Sequence, residues 1–73
     1  MPTHELNCER MLCPLPIVKL SLKVRELASG ELVRVRATDP AFRPDLDAWA
    51  EMTGHTIVEF RDGAVKEALL RVS

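Results

Sequence analysis

The chain has 73 residues, a net charge of −1 from 10 basic and 11 acidic side chains, and two cysteines. A single domain of this size buries only roughly 60% of its unfolded surface, which leaves no room for a deep catalytic cleft. The near balance of charge gives no net nucleic-acid footprint, and two cysteines cannot make a disulfide-dense scaffold. No apolar run approaches the length needed to span a bilayer, and no secretory leader opens the sequence. A reducing cytoplasm is the expected compartment, with no membrane and no direct nucleic-acid partner.

In chain order, His4 to Cys8 reads as a first strand, with Leu6 and Cys8 sharing a parity. Glu9 to Leu12 is the connecting loop. From Pro14 to Ala28 the apolar residues Ile17, Leu20, Val24, Leu27 and Ala28 recur at three- and four-residue steps and draw one face of a helix, which Gly30 stops. Val18 and Leu22 widen or flank that stripe. Glu31 to Thr38 alternates strictly, with Val33, Val35 and Ala37 on one side and Leu32, Arg34 and Arg36 on the other, so it is a strand with one buried and one wet face. Asp39-Pro40 breaks it.

A second helix is expected from about Pro44 to Gly54, with Leu46, Trp49, Ala50 and Thr53 facing inward and Asp45 and Asp47 near its N-terminus. His55 to Arg61 is a third strand with Val58 and Phe60 on one face and Ile57 and Glu59 on the other. Asp62-Gly63 signals a hairpin, and Ala64 to Val72 returns as the fourth strand, with Ala68, Leu70 and Val72 inward. The order βαβαββ predicts an α+β fold: a two-layer α/β sandwich with a four-stranded mixed sheet and two helices on one face. The first two strands should be parallel across a crossover helix, and the final pair antiparallel. Arg34, Arg36, Glu59, Glu67 and Arg71 are expected to form solvated cross-strand pairs on the far face.

The chemistry concentrates at Cys13-Pro14-Leu15-Pro16. Pro14 suits the first helical position and Pro16 the first turn, where N–H groups lack intrahelical partners. Cys13 is then expected at or near the N-cap, exposed, where the helix dipole favours a thiolate and lowers the thiol pKa. The alternative is a buried cysteine acting as a small hydrophobe. Cys8 has three readings: a core residue at the end of the first strand, a resolving thiol for Cys13, or a metal ligand with His4 and His55. The two histidines read more simply as surface or strand-end residues, and Trp49 as core. Met11 and Leu12 are either buried or an apolar collar for a partner. Lys19, Lys23 and Arg25 are either a solvated helix face or, with Arg10, a basic surface for an acidic partner. No cofactor and no metal site are expected.

Together, Cys13-Pro14-Leu15-Pro16, Gly30-Glu31, Asp39-Pro40 and Asp45…Trp49…Gly54-His55 resemble the TusA/SirA-like family of small sulfur carriers over nearly the whole chain. The resemblance implies one carrier domain over residues 1–73, a persulfide on Cys13, and sulfur passed between proteins. The donor it implies is a cysteine desulfurase or rhodanese-like protein, and the acceptor a DsrE-like or similar protein. The pathways implied are transfer-RNA thiolation, molybdenum-cofactor synthesis or sulfur-compound oxidation. Arg10, Met11, Leu12, Lys19 and Lys23 are the expected partner-binding residues, with Pro14 and Pro16 supporting the motif. The family pattern has Asp and Gly where this chain has Asn7 and Arg10. A glycine at positive φ is not replaced by arginine cheaply, so the loop before Cys13 is expected to change shape. Competing functions are a thiol redox module using Cys8 and Cys13, and a non-catalytic interaction domain.

Overall fold

The computed structural model describes residues 3–73. Its elements follow as β1 (Thr3–Cys8), α1 (Leu15–Val24), β2 (Leu32–Ala37), α2 (Phe42–Thr53), β3 (Thr56–Arg61) and β4 (Lys66–Arg71). The sheet order is β1-β2-β4-β3. β1 runs parallel to β2, while β4 is antiparallel to both β2 and β3. This is the expected βαβαββ sandwich with a mixed sheet.

Burial follows the alternation read in the sequence. Val33, Val35 and Ala37 of β2 and Ala68 and Leu70 of β4 point inward, where they meet Leu20 of α1 and Phe42, Leu46 and Trp49 of α2. Each fully buried leucine, valine or phenylalanine contributes about 1.5–3 kcal/mol, so this one cluster carries most of the stabilisation available to so short a chain. Ile17, Val24 and Leu27 pack at its margin, and Val18 and Leu22 are exposed.

Several expectations need correction. Helix α1 ends at Val24 and not at Ala28; single turns closed by Glu26 N–H to Lys23 and Leu27 N–H to Val24 carry the chain on to Gly30. Helix α2 starts at Phe42, two residues before Pro44. Phe42 is a core residue, and it stacks on Phe60 at 6.3 Å between ring centroids. Pro44 sits within the first turn, where its missing N–H costs nothing. Thr53 is exposed, and its hydroxyl donates to the Trp49 carbonyl at 2.7 Å.

The largest departure lies in β3. Its pairing with β4 shifts between Ile57 and Glu59, so Ile57 and Phe60 both pack on the core while Val58 turns out to solvent. A bulge inserts one residue and thereby breaks the two-residue period on which the expected faces rested. On the far face Arg34 and Arg36 share Glu5 and Glu67, and Arg36 also reaches Glu9. Glu59 pairs with Arg61 of its own strand rather than across the sheet, and Arg71 makes no ion pair among the described residues. The Asp62-Gly63 hairpin closes through a longer loop than two residues, with Arg61 opposite Glu67.

Candidate functional site

Because β1 and β2 are adjacent and parallel, their carboxyl ends lie side by side, and the two loops that follow them meet there. Ligand and reaction sites of α/β sheets gather at such an edge. The first loop begins at Cys8, whose carbonyl accepts the Met11 N–H at 3.2 Å. Asn7 Oδ1 accepts the Glu9 N–H at 3.0 Å, an Asx turn that an aspartate could equally make. Arg10 then takes φ 66°, in the left-handed region. Arginine here adopts the conformation that glycine favours. A long-range bond holds it, from the Arg10 N–H to Thr38 Oγ1 at 2.9 Å.

The second loop supplies Asp39. One carboxylate oxygen accepts the Cys13 N–H at 2.9 Å, and the other accepts the Ala41 N–H at 2.8 Å. A single side chain thus ties the sulfur-bearing loop to the entry of α2. These two bonds are the main reason that the Asp39 carboxyl lies below its usual range.

Cys13 stands directly ahead of the N-cap, near it as expected. Pro14 is the N-cap, after a cis Cys13–Pro14 peptide bond, and Leu15 and Pro16 open the helix. The turn closed by Leu15 N–H to the Leu12 carbonyl at 3.0 Å places the thiol beside the helix start rather than on it. The Cys13 side chain is half-buried against the core. Its pKa is pushed up to about 11, first by burial, then by the nearby carboxylates of Asp45 and Asp39. The expected lowering is overturned: burial, joined by two carboxylates at the entry of α2, raises the thiol instead.

The other expected residues separate. Cys8 is 0% exposed and belongs to the core, and burial raises its pKa. Both cysteines are free thiols. His4 bonds Glu31 at 3.2 Å, and His55 accepts the Ser73 N–H at 3.1 Å while packing on Trp49, so neither is directed at Cys8. Among the described residues no cluster of three metal-ligating side chains occurs. Among the described residues no helix is long and apolar enough to cross a membrane. Met11 packs on the core and Leu12 is 74% exposed, so the collar is half formed. Pro16 is buried and Pro14 exposed. Lys19 and Lys23 line a groove of about 350 Å³ with Leu6, Leu22 and Glu26, between α1 and the free edge of β1. A second groove, of about 280 Å³, runs between α1 and α2 from Pro14 to Met52.

Sequence reasoning missed Asp39 and Asp45 as neighbours of the sulfur. The signal was the parallel order of β1 and β2, which obliges the residues after each strand to meet.

The model of the family described as sulfurtransferase TusA matches residues 4–72. The putative sulfur carrier protein YrkF of Bacillus subtilis is 42% identical over 53 residues, covering 73% of this chain but only 29% of that longer protein. YrkI of the same organism, also a putative sulfur carrier protein, is 39% identical over 57 residues, or 78% of this chain and 76% of the relative. The sulfur carrier protein TusA of Allochromatium vinosum is 36% identical over 59 residues, covering 81% and 78%. With the fold and the paired loops described above, this match over almost the full chain means that the protein belongs to the sulfurtransferase TusA family.

Proposed function

We propose that residues 1–73 act as one sulfur-carrier domain that holds sulfane sulfur as a persulfide on Cys13. The observation that carries this reading is the contrast between a half-buried Cys13 on a loop at the carboxyl edge of the parallel pair and a fully enclosed Cys8. A sulfur that must be met by another protein's sulfur has to be reachable, and only one of the two is.

The chemistry is exchange at sulfur. The Cys13 thiolate attacks the terminal sulfur of a donor persulfide. The donor's S–S bond breaks, a new S–S bond forms on Cys13, and the departing donor thiolate takes up the proton that Cys13 gave. No oxidant is consumed. The acceptor's thiolate then repeats the step on the loaded Cys13. No pocket for a small substrate is needed, which suits a thin core.

Membership of the family implies protein partners. We assign the donor to a cysteine desulfurase or rhodanese-like protein and the acceptor to a DsrE-like or similar protein, in the cytoplasm, in transfer-RNA thiolation, cofactor synthesis or sulfur oxidation. Arg10 and Leu12, with Lys19 and Lys23, form the rim that an acidic partner meets, and the charges act mostly on the association rate. Intact mass after incubation with a persulfide donor tests the carrier. One added sulfur, removed by dithiothreitol and absent from Cys13→Ser, is the expected result. Loss of two hydrogens would instead mean an internal disulfide and a redox module, and no change would mean an interaction domain.

A further inference from the structure

The two grooves beside α1 differ in charge. The one on the β1 side carries Lys19 and Lys23. The one on the α2 side has an apolar lining of Pro14, Ile17, Ala48, Trp49 and Met52, and its single charge is Asp45. It starts next to Cys13, and Met52 at its rim is 87% exposed. Asp45 has no ion-pair partner among the described residues. The nearest cation in sequence on α2, Arg43, is already committed to Asp47 at 3.2 Å and lies over the Phe60 ring at 4.3 Å. Asp39, bonded to the Cys13 N–H, adds a second negative charge at the same end.

We infer that the α1–α2 groove receives a segment of a protein partner that presents an apolar side chain and a lysine or arginine beside its own reactive sulfur. The inference rests on the carrier reading of Cys13 and names the chemistry of one partner. The groove accommodates a bulky apolar side chain, while the cation meets the unpaired Asp45, an arrangement of apolar centre and charged rim common to protein contacts. Its charge is opposite to the one the lysine groove selects, so a carrier that must meet a donor and an acceptor in turn has two distinct faces for them.

Docking on this side also changes the sulfur. Burial and the carboxylates of Asp45 and Asp39 hold the Cys13 thiol above its ordinary value, so little of it is thiolate near neutral pH. A cation set against Asp45 offsets the negative charge that disfavours the thiolate, so the attacking form gains population where the partner's sulfur is within reach.

The test uses Cys8→Ser protein, so that only Cys13 reports. Two synthetic peptides carry a leucine next to a persulfidated cysteine, flanked in one by two lysines and in the other by two glutamates. Free cysteine persulfide is the third donor. Each peptide's rate of loading Cys13, read by intact mass, is divided by its rate with glutathione to remove differences in leaving group. At low salt the lysine peptide should load about tenfold faster than the glutamate peptide, and high salt should narrow the gap. Asp45→Asn should shrink the preference and Asp45→Lys invert it. Met52→Arg, at an exposed position, should depress loading by the lysine peptide. Trp49, the single tryptophan, should report saturable binding of the lysine peptide with serine in place of cysteine. Equal rates for the two peptides, or a preference that survives Asp45→Lys in folded protein, overturn the inference. Free cysteine persulfide separates the two levels: if it loads Cys13 while the peptides show no preference, the carrier stands and the docking surface falls. If no donor loads Cys13, both fall.

Discussion

Cys8 and Cys13 lie five residues apart, and both thiols are held above their ordinary pKa, yet for different reasons. At Cys8 burial acts against a small opposing pull from Lys19. At Cys13 burial is joined by two carboxylates that belong to the next β–α connection. The first is the last residue of a strand, inside the core. The second follows a turn that lifts the chain out of the sheet toward the entry of α2. The difference teaches that the Cys13 thiol is set by burial together with what the neighbouring parallel strand delivers across the fold.

The largest expected effect separates the two outright. Cys13→Ser should abolish sulfur loading by mass, whereas Cys8→Ser should load as the unaltered protein does. Loading that persists on Cys8 in the Cys13→Ser protein would reverse their assignment. The Cys8 change should appear elsewhere: a hydroxyl without a partner in a site that is 0% exposed costs about 1–3 kcal/mol. Chemical denaturation should give a lower midpoint for Cys8→Ser than for Cys8→Ala, since alanine buries no polar atom. Equal midpoints would mean that the serine hydroxyl finds a bond and that the strand end is looser than described.

Asp39 sharpens the contrast from the other side. Asp39→Asn removes one negative charge from Cys13 and leaves Cys8 untouched. The Cys13 thiol should therefore come down from about 11, and alkylation at neutral pH should quicken about tenfold for each unit of fall. The two groups act on stability at opposite ends of the pH scale. The folded state holds the Cys13 proton more tightly than an unfolded chain does, so stability declines as pH rises from about 9 to about 11. Asp39 is depressed, so its contribution is present above the ordinary carboxylate range and is lost as pH falls through its lower folded value. Asp39→Asn should flatten that acid limb. An unchanged acid limb together with an unchanged alkylation profile would detach Asp39 from the sulfur loop.

Much of this was legible in the sequence where a period governs. The alternation of Val33, Val35 and Ala37, and the three- and four-residue steps of Ile17, Leu20 and Val24, specify faces that the core then uses. The face of β3 was not legible, because a bulge is invisible to a strict two-residue count. Phe42 escaped as the start of α2 because Pro44 is the stronger local signal and the stacking with Phe60 is tertiary. At the site, Cys13 and its prolines were legible, since proline carries its conformational rule with it. The sign of the pKa shift was not, because it depends on Asp39 and Asp45, 26 residues or more along the chain and adjacent only once β1 and β2 align.

The smallest effect belongs to the residue between the two cysteines. Arg10 takes φ 66°, which costs a residue with a Cβ about 1 kcal/mol that glycine does not bear. Glycine in turn loses more chain entropy on folding, by about 0.5–1 kcal/mol. The two terms nearly cancel, so Arg10→Gly should shift stability by no more than about 0.5 kcal/mol in either direction. The side chain makes no ion pair among the described residues; what holds this turn is the backbone N–H donated to Thr38, and glycine keeps it. Loading by free cysteine persulfide should therefore be unchanged, because Cys13 keeps its bond to Asp39. Thr38→Val is the matched contrast: it removes the acceptor and leaves the arginine strained, so it should cost more than Arg10→Gly and loosen Cys13 while Cys8, anchored in the core, stays protected. Hydrogen exchange at the Cys13 and Met11 amides, measured in both variants, reads that difference directly. If Arg10→Gly proves the more damaging, the guanidinium holds the loop through a contact of its own, and the turn between the two cysteines is not the backbone device inferred from its φ and its bond to Thr38.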